Sequence, residues 1–379
     1  MKRTKVCHLT SVHPVTDPRI FHKECRTLAR AGYEVVLIGP APRETVSHDV
    51  LIRPLKQSKT RVTRRLFGVW RVFRMARQEQ AAVYHFHDPE LIPIALLLKW
   101  VTDARVVYDM HEYYSEVRSS LAHPAVRRAW RALWHLLLEA IPVRIFDLTV
   151  YPTDSLSAEF PQTKSSLTVR NLPTLDATTQ MVTKGYAKAD ADFDVVVVGT
   201  VSPFRLEFML AIAEELVSIR GELRWLFLGL PQGSLDWLAT NKRRSSLIAN
   251  HIVAMSRVPH EEVYDYLSRS AVGFNYHPSE KRFLVAIPMK VFEYMLAGRP
   301  AVSTGLPELA DLLSDGENCV LVESESERDY ATAIMSLLDD PARAAEIGQR
   351  GKLLIEESLN WDACEAAKLS LAYEELLNG

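Results

Sequence analysis

Helix and strand signals follow one another directly in the segment Ala286-Ile-Pro-Met-Lys-Val-Phe-Glu-Tyr-Met-Leu-Ala-Gly-Arg-Pro-Ala-Val-Ser303. Pro288 suits the first turn of a helix, because the N–H that proline lacks would have no partner there. Gly298 suits the C-terminal cap of that helix, and the apolar run Ala301–Thr304 predicts a strand directly after it. The segment therefore predicts one helix–strand unit of an α/β fold, with the helix N-terminus available to an anion.

The same alternation extends in both directions along the chain. In the N-terminal half it predicts strands Val6–Leu9, Val35–Ile38, Val83–Phe86, Val106–Tyr108 and Leu148–Tyr151, with helices Ile20–Ala31 and Leu91–Val101. In the C-terminal half it predicts strands Val195–Val198, Trp225–Leu228, Ile252–Ala254, Val272–Asn275, Ala301–Thr304 and Val320–Val322, with helices Glu207–Val217, Glu261–Ser268 and Met289–Ala297. Such alternation predicts parallel sheets covered by helices, and two of them would place a ligand in the cleft at the carboxyl ends of their strands.

The 379 residues suit two domains of ordinary size. We predict an N-terminal Rossmann-like domain over 1–172, a polar linker over 173–194, a second Rossmann-like domain over 195–358 and a final helical segment over 359–379. The chain has no apolar run of about 18 residues, so no transmembrane helix is expected. Four cysteines without C-x-x-C spacing suit a reducing cytoplasm.

Charge is distributed unevenly. The first 170 residues carry 26 Lys and Arg against 16 Asp and Glu, whereas the remainder carries 19 against 31. Two basic segments with aromatic residues, Lys59–Arg77 and Arg127–Trp134, are typical of helices that lie on an anionic membrane surface. An ordinary domain helix with solvated arginines is the alternative. Nucleic acid is not the predicted partner, because no zinc, RNP-like or helix-turn-helix signature accompanies these charges. A nucleic-acid-binding protein remains a further alternative for the basic half.

Several motifs are absent or weak. No strand is followed by G-x-G-x-x-G, which disfavours a nicotinamide or flavin enzyme, and no G-x-x-x-x-G-K-[ST] loop occurs. Two D-x-D matches, Asp190-Ala-Asp192 and Asp192-Phe-Asp194, fall in the predicted linker and are interpreted as solvated carboxylates. His85 and His87 point to the same side of a strand and Asp88 to the other, so no metal site is predicted there.

The predicted helix after Ile287 carries groups that suit a nucleotide. Lys290 in its first turn adds a full positive charge to the helix N-terminus, which favours a diphosphate. Glu293 lies three residues further on the same face, where its carboxylate could accept hydrogen bonds from two ribose hydroxyls. An exposed Lys–Glu surface pair is the alternative interpretation of this spacing.

The segment around Lys290 resembles an element of glycosyltransferase family 4, a retaining family with the GT-B fold of two facing Rossmann-like domains. Five other segments, in order along the chain, also resemble motifs of that family: His13–Glu24, Phe86–Leu91, Tyr108–Glu112, Gly199–Arg205 and Val258–Leu267. The resemblance spans nearly the whole chain. It implies transfer of a sugar from a nucleoside diphosphate to an acceptor hydroxyl, without a metal or other cofactor, and a C-terminal helix, Trp361–Leu377, that crosses back to the N-terminal domain.

The resemblance also implies residue roles. On the donor side, Arg205 and Lys290 would hold the diphosphate at the helix tip formed by Pro288 and Met289, and Glu293 would hold the ribose. His111 would lie beside the donor sugar as the catalytic residue. The residues expected on the acceptor side are Asp17, Arg19, His87 and Asp88. The base, UDP or GDP, is left open, as is the acceptor, a glycan or a lipid-linked molecule at the inner face of the cell membrane.

One departure from the family pattern leaves alternatives open. Many members carry a second glutamate eight positions before Glu293, where this chain has Val285. Its absence leaves the donor sugar undetermined and admits a catalytically silent, membrane-associated partner subunit. A nucleotide-sugar epimerase of GT-B fold is the other alternative, because it shares the same layout.

Overall fold

The structure, a computed structural model, describes residues 3–56, 67–114, 129–130, 132–175 and 191–378, except for the side chains of 260 and 261. The chain forms two compact units. Unit 1 comprises Met1–Asn171 together with Trp361–Gly379, and unit 2 comprises Leu172–Asn360. The division therefore falls beside the predicted boundary at 172, and the last residues belong to unit 1. The predicted linker is shorter than expected at its end, because a strand begins at Phe193.

Unit 1 is built on one eight-stranded sheet with the order β3-β4-β2-β1-β5-β6-β7-β8. The strands are β1 (Lys5–Leu9), β2 (Glu34–Pro40), β3 (Thr45–Ser47), β4 (Val50–Leu55), β5 (Val83–Phe86), β6 (Arg105–Asp109), β7 (Leu148–Tyr151) and β8 (Ser166–Thr168). All neighbouring pairs are parallel except β3 and β4. The strand order reverses direction between β1 and β5, which makes their carboxyl ends the place where such sheets bind ligands.

The α-helices of unit 1 before the second unit are α1 (Arg26–Arg30), α2 (Val69–Glu79), α3 (Ile92–Val101), α4 (Pro142–Ile145) and α5 (Asp154–Ala158). A π-helical segment, Pro18–Cys25, leads into α1; another spans His135–Ala140, and a 3-10 turn spans Pro89–Leu91. The helix predicted from Ile20 therefore begins two residues earlier and with wider hydrogen bonding than expected. Such π-helical turns occur frequently at functional sites.

Unit 2 is built on a six-stranded sheet with the order β11-β10-β9-β12-β13-β14. All pairs are parallel, and the strands are β9 (Phe193–Val198), β10 (Trp225–Leu228), β11 (Ile252–Met255), β12 (Ser270–Asn275), β13 (Ala301–Thr304) and β14 (Val320–Val322). The order reverses between β9 and β12. Their carboxyl ends are therefore the expected ligand position of this unit.

The helices of unit 2 are α6 (Pro203–Arg220), α7 (Gln232–Thr240), α8 (Ser245–His251), α9 (His260–Ser268), α10 (Lys281–Leu284), α11 (Met289–Leu296), α12 (Pro307–Ala310), α13 (Glu327–Asp339) and α14 (Pro341–Glu357), with a 3-10 turn at Lys242–Arg244. α11 ends as predicted: Gly298 has φ +67°, and its N–H donates to Met295 O at 2.8 Å. Its first residue, Met289, is the predicted one, and Pro288 is the N-cap residue directly before it.

The last helices return to unit 1. α15 (Trp361–Cys364) and α16 (Ala366–Asn378) contribute Trp361, Leu369 and Tyr373 to the same apolar core as Val6 of β1. The Trp361 indole also donates to Thr27 Oγ1 at 2.9 Å. Burial of aromatic side chains accounts for this attachment, because truncating one in a core costs about 3–5 kcal/mol.

The predicted α/β class is confirmed, but three strands of unit 1, the edge strands β3 and β8 and the neighbouring β4, were not predicted. β3 and β4 form a hairpin through His48 (φ 50°) and Asp49 (φ 61°), a pair of left-handed residues that sequence patterns rarely place outside glycine. β8 is a short strand with exposed and half-buried residues, so it lacks the apolar signal. Within the described residues, no helix has the length and hydropathy needed to span a bilayer.

Candidate active site

A cationic cluster lies at the carboxyl ends of β9 and β12 in unit 2. Gly199, directly after β9, has φ +92°, and a Cβ built on it would meet Lys290 Cε and Nζ at 3.4 Å. The ammonium of Lys290 therefore rests against the backbone turn that follows the first strand of this unit. Glycine leaves this turn open to a ligand, because any side chain here would be strained and would crowd the lysine.

Among the described lysines, Lys290 has the most strongly shifted pKa. It is half-buried at the start of α11, where no side chain caps the free backbone N–H groups. Burial and, secondly, the positive charge of Arg205 lower its pKa from 10.5 to about 7, against the opposing effect of Glu293. A lysine held in this way gains its charge fully only when an anion arrives.

Arg205, at the start of α6, supplies the second cation of the cluster. Its side chain is buried, and one terminal nitrogen donates to the carbonyl oxygen of Tyr276, just past β12. Burial lowers its pKa to about 10. Among the described residues, Arg205 Nε has no hydrogen-bond partner. A buried guanidinium with a spare donor is suited to an anionic oxygen.

His277 extends this cluster and was not predicted. Burial, followed by the charges of Arg205 and Lys290, lowers its pKa to about 2, so the ring is neutral. Its Nδ1 is buried and has no partner within the described residues, while its backbone N–H donates to Thr304 Oγ1 at 3.0 Å. No motif identified His277, because only the fold brings the end of β12 beside Lys290.

Tyr294 fixes the position of α11 against the sheet. Its hydroxyl accepts a hydrogen bond from Val198 N at 2.9 Å and donates one to Phe274 O at 3.1 Å, so it joins the ends of β9 and β12. A Cβ at Gly273 would collide with the tyrosine ring, which explains the glycine in the middle of β12. Lys290, Glu293 and Met289 are thus carried by a helix whose placement is rigidly defined.

The predicted donor-side residues therefore occupy one place in unit 2. Pro288 and Met289 form the tip of α11, Lys290 and Arg205 interact through their charges, and half-buried Glu293 lies on the same helix. Val285 is buried just before this tip. Of the D-x-D residues, Asp192 pairs with Arg269 and Asp194 accepts from Arg224 N, whereas Asp190 lies outside the described residues.

Asp109, at the end of β6, organises the site of unit 1. Arg19 binds it through two contacts, Nε to Oδ2 at 3.0 Å and Nη2 to Oδ1 at 2.9 Å. His111 Nε2 lies 2.7 Å and His87 Nδ1 3.0 Å from Oδ2. Although burial alone would raise it, these partners hold the pKa of Asp109 well below its usual range, and the carboxylate is ionised.

The structure gives Arg19 and Asp17 supporting positions. Arg19 is only 5% exposed, and its third nitrogen donates to Val169 O at 2.9 Å, so its guanidinium is fully engaged inside unit 1. Asp17 caps the π-helical segment by accepting from the N–H groups of Arg19 and Ile20 at 2.9 and 3.0 Å. Of the residues predicted for the acceptor side, these two hold other groups in place.

Asp88 turns away from this cluster, as its position on the strand predicts. Oδ2 accepts from Ser11 N at 2.6 Å, Val12 N at 3.1 Å and Thr10 Oγ1 at 2.8 Å, and Oδ1 lies 2.9 Å from His13 Nδ1. These groups lower the pKa of Asp88, and the carboxylate in turn raises the pKa of His13 against the effect of burial. Asp88 therefore shapes the loop after β1.

His111 is the part of this network nearest to solvent, with a side chain that is 14% exposed. Its Nε2 is directed to Asp109, so Nδ1 is the nitrogen left for another molecule. The His13 ring lies 5.1 Å from the His111 ring. His13 begins the segment His13–Glu24 that resembles a family motif, but it was not predicted as a site residue. Only the loop held by Asp88 brings it beside His111.

The predicted basic segments are partly described. In the first, residues 59–66 lie outside the described residues; on α2 and just before it, Phe67 (69% exposed), Trp70 (54%), Arg71, Arg74 and Arg77 face solvent. In the second, Arg127, Arg128 and Arg131 lie outside the described residues, and Trp130 is exposed. Leu133, Leu136 and Leu137 extend the exposed apolar surface next to it.

Two protein families match this chain, one in each half. Residues 19–164 match the family described as Glycosyltransferase Family 4, and residues 192–340 match Glycosyl transferases group 1. D-inositol 3-phosphate glycosyltransferase 2 of Catenulispora acidiphila is 29% identical over 180 residues, which cover 45% of this chain and 40% of that protein. The match therefore spans less than half of this curated relative.

Solved structures show the same fold. Sucrose-phosphate synthase from Thermosynechococcus elongatus is similar with a TM-score of 0.77 at 15% identity, covering 100% of both chains. HepE from Anabaena, solved with UDP and glucose, is similar with a TM-score of 0.66 at 12% identity, also covering 100% of both chains. At these identities the likeness establishes the fold, which is GT-B.

Proposed function

Because this chain belongs to glycosyltransferase family 4, we propose that it transfers a sugar from a nucleoside-diphosphate sugar to an acceptor hydroxyl, with retention of the anomeric configuration. The observation that carries the proposal is the pairing of Arg205 with Lys290 at the tip of α11 and the turn after β9. A buried guanidinium that lowers the pKa of a neighbouring ammonium, at a helix N-terminus without a side-chain cap, suits a partner of concentrated negative charge. A donor diphosphate is such a partner.

The chemistry follows from this charge. As the bond between the sugar and the diphosphate breaks, negative charge grows on the leaving phosphate. Lys290, Arg205 and the N-terminus of α11 stabilise this charge without a metal ion at the phosphates. Removing one such group typically lowers the rate by about 10²–10³. Glu293, one turn along the helix, would accept hydrogen bonds from the ribose.

His111 is proposed as the residue that meets the reacting sugar or the acceptor. Asp109 contacts His111 Nε2, and Arg19 binds Asp109, so the ring is held in place and Nδ1 is left for the reacting molecule. A neutral imidazole in this position can accept a proton from a hydroxyl, and an imidazolium can donate one. Arg19 and His87 then act through Asp109, while Asp88 shapes the neighbouring loop.

Calorimetry and turnover test this function. UDP is the first nucleotide to test, since HepE was solved with UDP and glucose; GDP and the corresponding sugars follow. We expect Lys290→Ala to lose most UDP affinity and Lys242→Ala, at an exposed lysine of the same unit, to keep it. His111→Ala should bind UDP normally but lose turnover. Failure of every nucleotide to bind would overturn the proposal and favour the silent subunit suggested by Val285.

A donor-only incubation separates transfer from epimerisation. Transfer consumes the donor at an appreciable rate only when an acceptor is present and releases the nucleoside diphosphate. An epimerase would convert the donor into an isomer without an acceptor. We expect the donor to persist in the absence of acceptor, and accumulation of an isomerised nucleotide sugar would identify the alternative activity.

The acceptor is proposed to be a glycan or lipid-linked molecule at the inner face of the cell membrane, in surface polysaccharide or glycolipid synthesis. Support comes from the exposed Phe67 and Trp70 beside Arg71, Arg74 and Arg77 on α2. Near an anionic bilayer each cation contributes about 1 kcal/mol, so the three described arginines together would raise affinity by roughly two orders of magnitude.

Vesicle sedimentation tests this attachment. Vesicles rich in anionic lipid should sediment the protein at low salt, and the variant Arg71→Glu/Arg74→Glu should remain in the supernatant. The matched control is Arg328→Glu, which changes an exposed arginine of unit 2. Equal sedimentation of all three proteins would show that α2 is not the contact surface.

A further inference from the structure

A second histidine cluster lies inside unit 1, beneath the network of Asp109. His8 comes from β1, His85 from β5, His87 from the position directly after β5, and Glu24 from the π-helical segment. All four side chains are fully buried. One nitrogen or carboxylate oxygen from each lies within 4.8 Å of those of the other three. Sugar transfer as proposed above gives no role to His8, His85 or Glu24.

Hydrogen-bond directions show that this cluster has too few donors. The ionised Asp109 requires a hydrogen on His87 Nδ1, which leaves a lone pair on His87 Nε2 because the buried ring is neutral. His8 Nδ1, 3.0 Å from that atom, must then carry the hydrogen between the two rings. His8 Nε2 is consequently a lone pair, buried with no partner among the described residues.

His85 and Glu24 add further acceptors. His85 Nδ1 lies 2.7 Å from the hydroxyl of Tyr373 on α16, and its buried Nε2 has no partner within the described residues. Glu24 Oε2 lies 3.8 Å from His85 Nε2 and 3.9 Å from His87 Nδ1. Arg19 approaches only the other oxygen, Oε1, at 3.0 Å. Burial and the neighbouring charge of Asp109 raise the pKa of Glu24 well above its usual range, and the lone pair of His85 Nε2 is buried without a donor among the described residues. A cation between these two groups would remove the cost of burying them.

We propose that His8, Glu24, His85 and His87 bind one divalent transition-metal ion of the zinc class. Imidazole nitrogens with one carboxylate suit such an ion better than Mg²⁺ or Ca²⁺, which prefer oxygen ligands. Metal–ligand bonds of about 2.0–2.1 Å require neighbouring ligands roughly 3.3 Å apart, so ligand atoms that lie up to 4.8 Å apart must move closer together when the ion binds. The hydrogen bond between His8 Nδ1 and His87 Nε2 gives way to two metal–nitrogen bonds, and the hydrogen of His8 moves from Nδ1 to Nε2.

The surroundings resemble those of established metal sites in proteins. Ligating histidines usually donate their other N–H to a carboxylate or similar group, which fixes the ring. Here Asp109 contacts His87 at Nδ1, and the hydroxyl of Tyr373 contacts His85 at Nδ1. Nε2 of each ring is the nitrogen that would bind the ion. Four protein ligands without solvent exposure are typical of a structural ion. Such an ion would tie β1, β5 and the π-helical segment together and, through Tyr373, hold the C-terminal helix.

His85 and His87 were expected to form no metal site because Asp88 points to the other side of the strand. That geometry is correct, and the site proposed here does not use Asp88. Its other ligands, His8 and Glu24, come from distant parts of the sequence. Only the sheet register and the π-helical segment Pro18–Cys25 bring them beside His85. His8 and His85 are directly paired neighbours on β1 and β5.

Metal loading of the full, untagged chain tests the site. After dialysis against a chelator, the protein is titrated with Co²⁺ and its visible absorption recorded; bound metal is counted by plasma mass spectrometry. We expect one Co²⁺ per chain with the spectrum of a four-coordinate ion, displacement by Zn²⁺, and a higher Tm with Zn²⁺. Glu24→Gln and His85→Gln should lose the spectrum, whereas His48→Gln, at an exposed histidine of the same unit, should keep it.

A second variant keeps the test decisive if those substitutions prevent folding. Tyr373→Phe retains all four ligands and should bind Co²⁺ about 10–100-fold more weakly, as expected for loss of a group that orients a ligand. A wild-type chain that takes up no stoichiometric Co²⁺ would overturn the proposal and leave a proton on Glu24 as the occupant. Undiminished binding by Glu24→Gln and His85→Gln would also overturn it. UDP binding in unit 2 is a separate readout that neither result changes.

Discussion

Replacement of Lys290 by Met should abolish the uptake of a proton that accompanies nucleotide binding at pH 8. In the free protein the pKa of Lys290 is lowered to about 7 by burial and by Arg205. At pH 8 such an amine is about one-tenth protonated. A bound diphosphate favours the charged form and raises this pKa well above 8. UDP binding at pH 8 should therefore take up about 0.9 proton per nucleotide in the wild type and close to none in Lys290→Met.

The same shift predicts how affinity and stability depend on pH. Above pH 7, UDP affinity should fall by up to about tenfold per pH unit, until the pKa of the bound state is reached. A lysine with a lowered folded-state pKa costs stability below that pKa, and the cost diminishes as pH rises toward 10.5. The difference between about 7 and 10.5 sets a ceiling of about 5 kcal/mol. Screening at this partly exposed ammonium reduces the expected gain in Lys290→Met at pH 7 to roughly 1–2 kcal/mol.

Isothermal titration calorimetry at pH 8 in two buffers of different protonation enthalpy counts the protons. Chemical denaturation at pH 7 measures the gain in stability. Lys242→Met, at an exposed lysine of the same unit, controls for the loss of one charge. If the wild type takes up no proton, or if Lys290→Met takes up as many as the wild type, UDP does not bind against a lysine of lowered pKa at this position.

Three further predictions concern other parts of the two sites. Glu293→Ala should weaken UDP binding by roughly 10–100-fold, which is the typical contribution of hydrogen bonds to a charged group. It should also abolish discrimination against a nucleotide without the 2′-hydroxyl, and unchanged discrimination would contradict the assignment of Glu293 to the ribose. Tyr294→Phe should cost about 1–3 kcal/mol in the free energy of unfolding, because the buried N–H of Val198 loses its acceptor, and an unchanged urea midpoint would contradict this. Asp88→Asn should lower the pKa of His13, because the carboxylate raises that pKa. NMR titration of the His13 ring protons measures the change, and an equal pKa in the variant and the wild type would contradict the contact.

Local signals in the sequence were sufficient for the central parts of both sheets. The strands Val83–Phe86, Leu148–Tyr151, Trp225–Leu228 and Ala301–Thr304 have the predicted bounds, because each is a buried apolar run between turn residues. The edge strands of unit 1 were missed for the opposite reason: Thr45–Ser47, for example, is largely exposed and lacks that pattern. The α/β class and the family followed from motifs of contiguous residues.

The sequence alone also determined which helix tip carries Lys290 and Glu293, since proline and glycine mark the ends of one short segment. It could not show that Arg205 lowers the pKa of this lysine, or that His277 joins them, because parallel strands bring together chain ends that are far apart in sequence. In the same way, only the register of β1 against β5 places His8 beside His85, and only the π-helical segment Pro18–Cys25 brings Glu24 close to both. Spacing along a chain fixes which side chains share a face, whereas long-range strand pairing decides which faces meet.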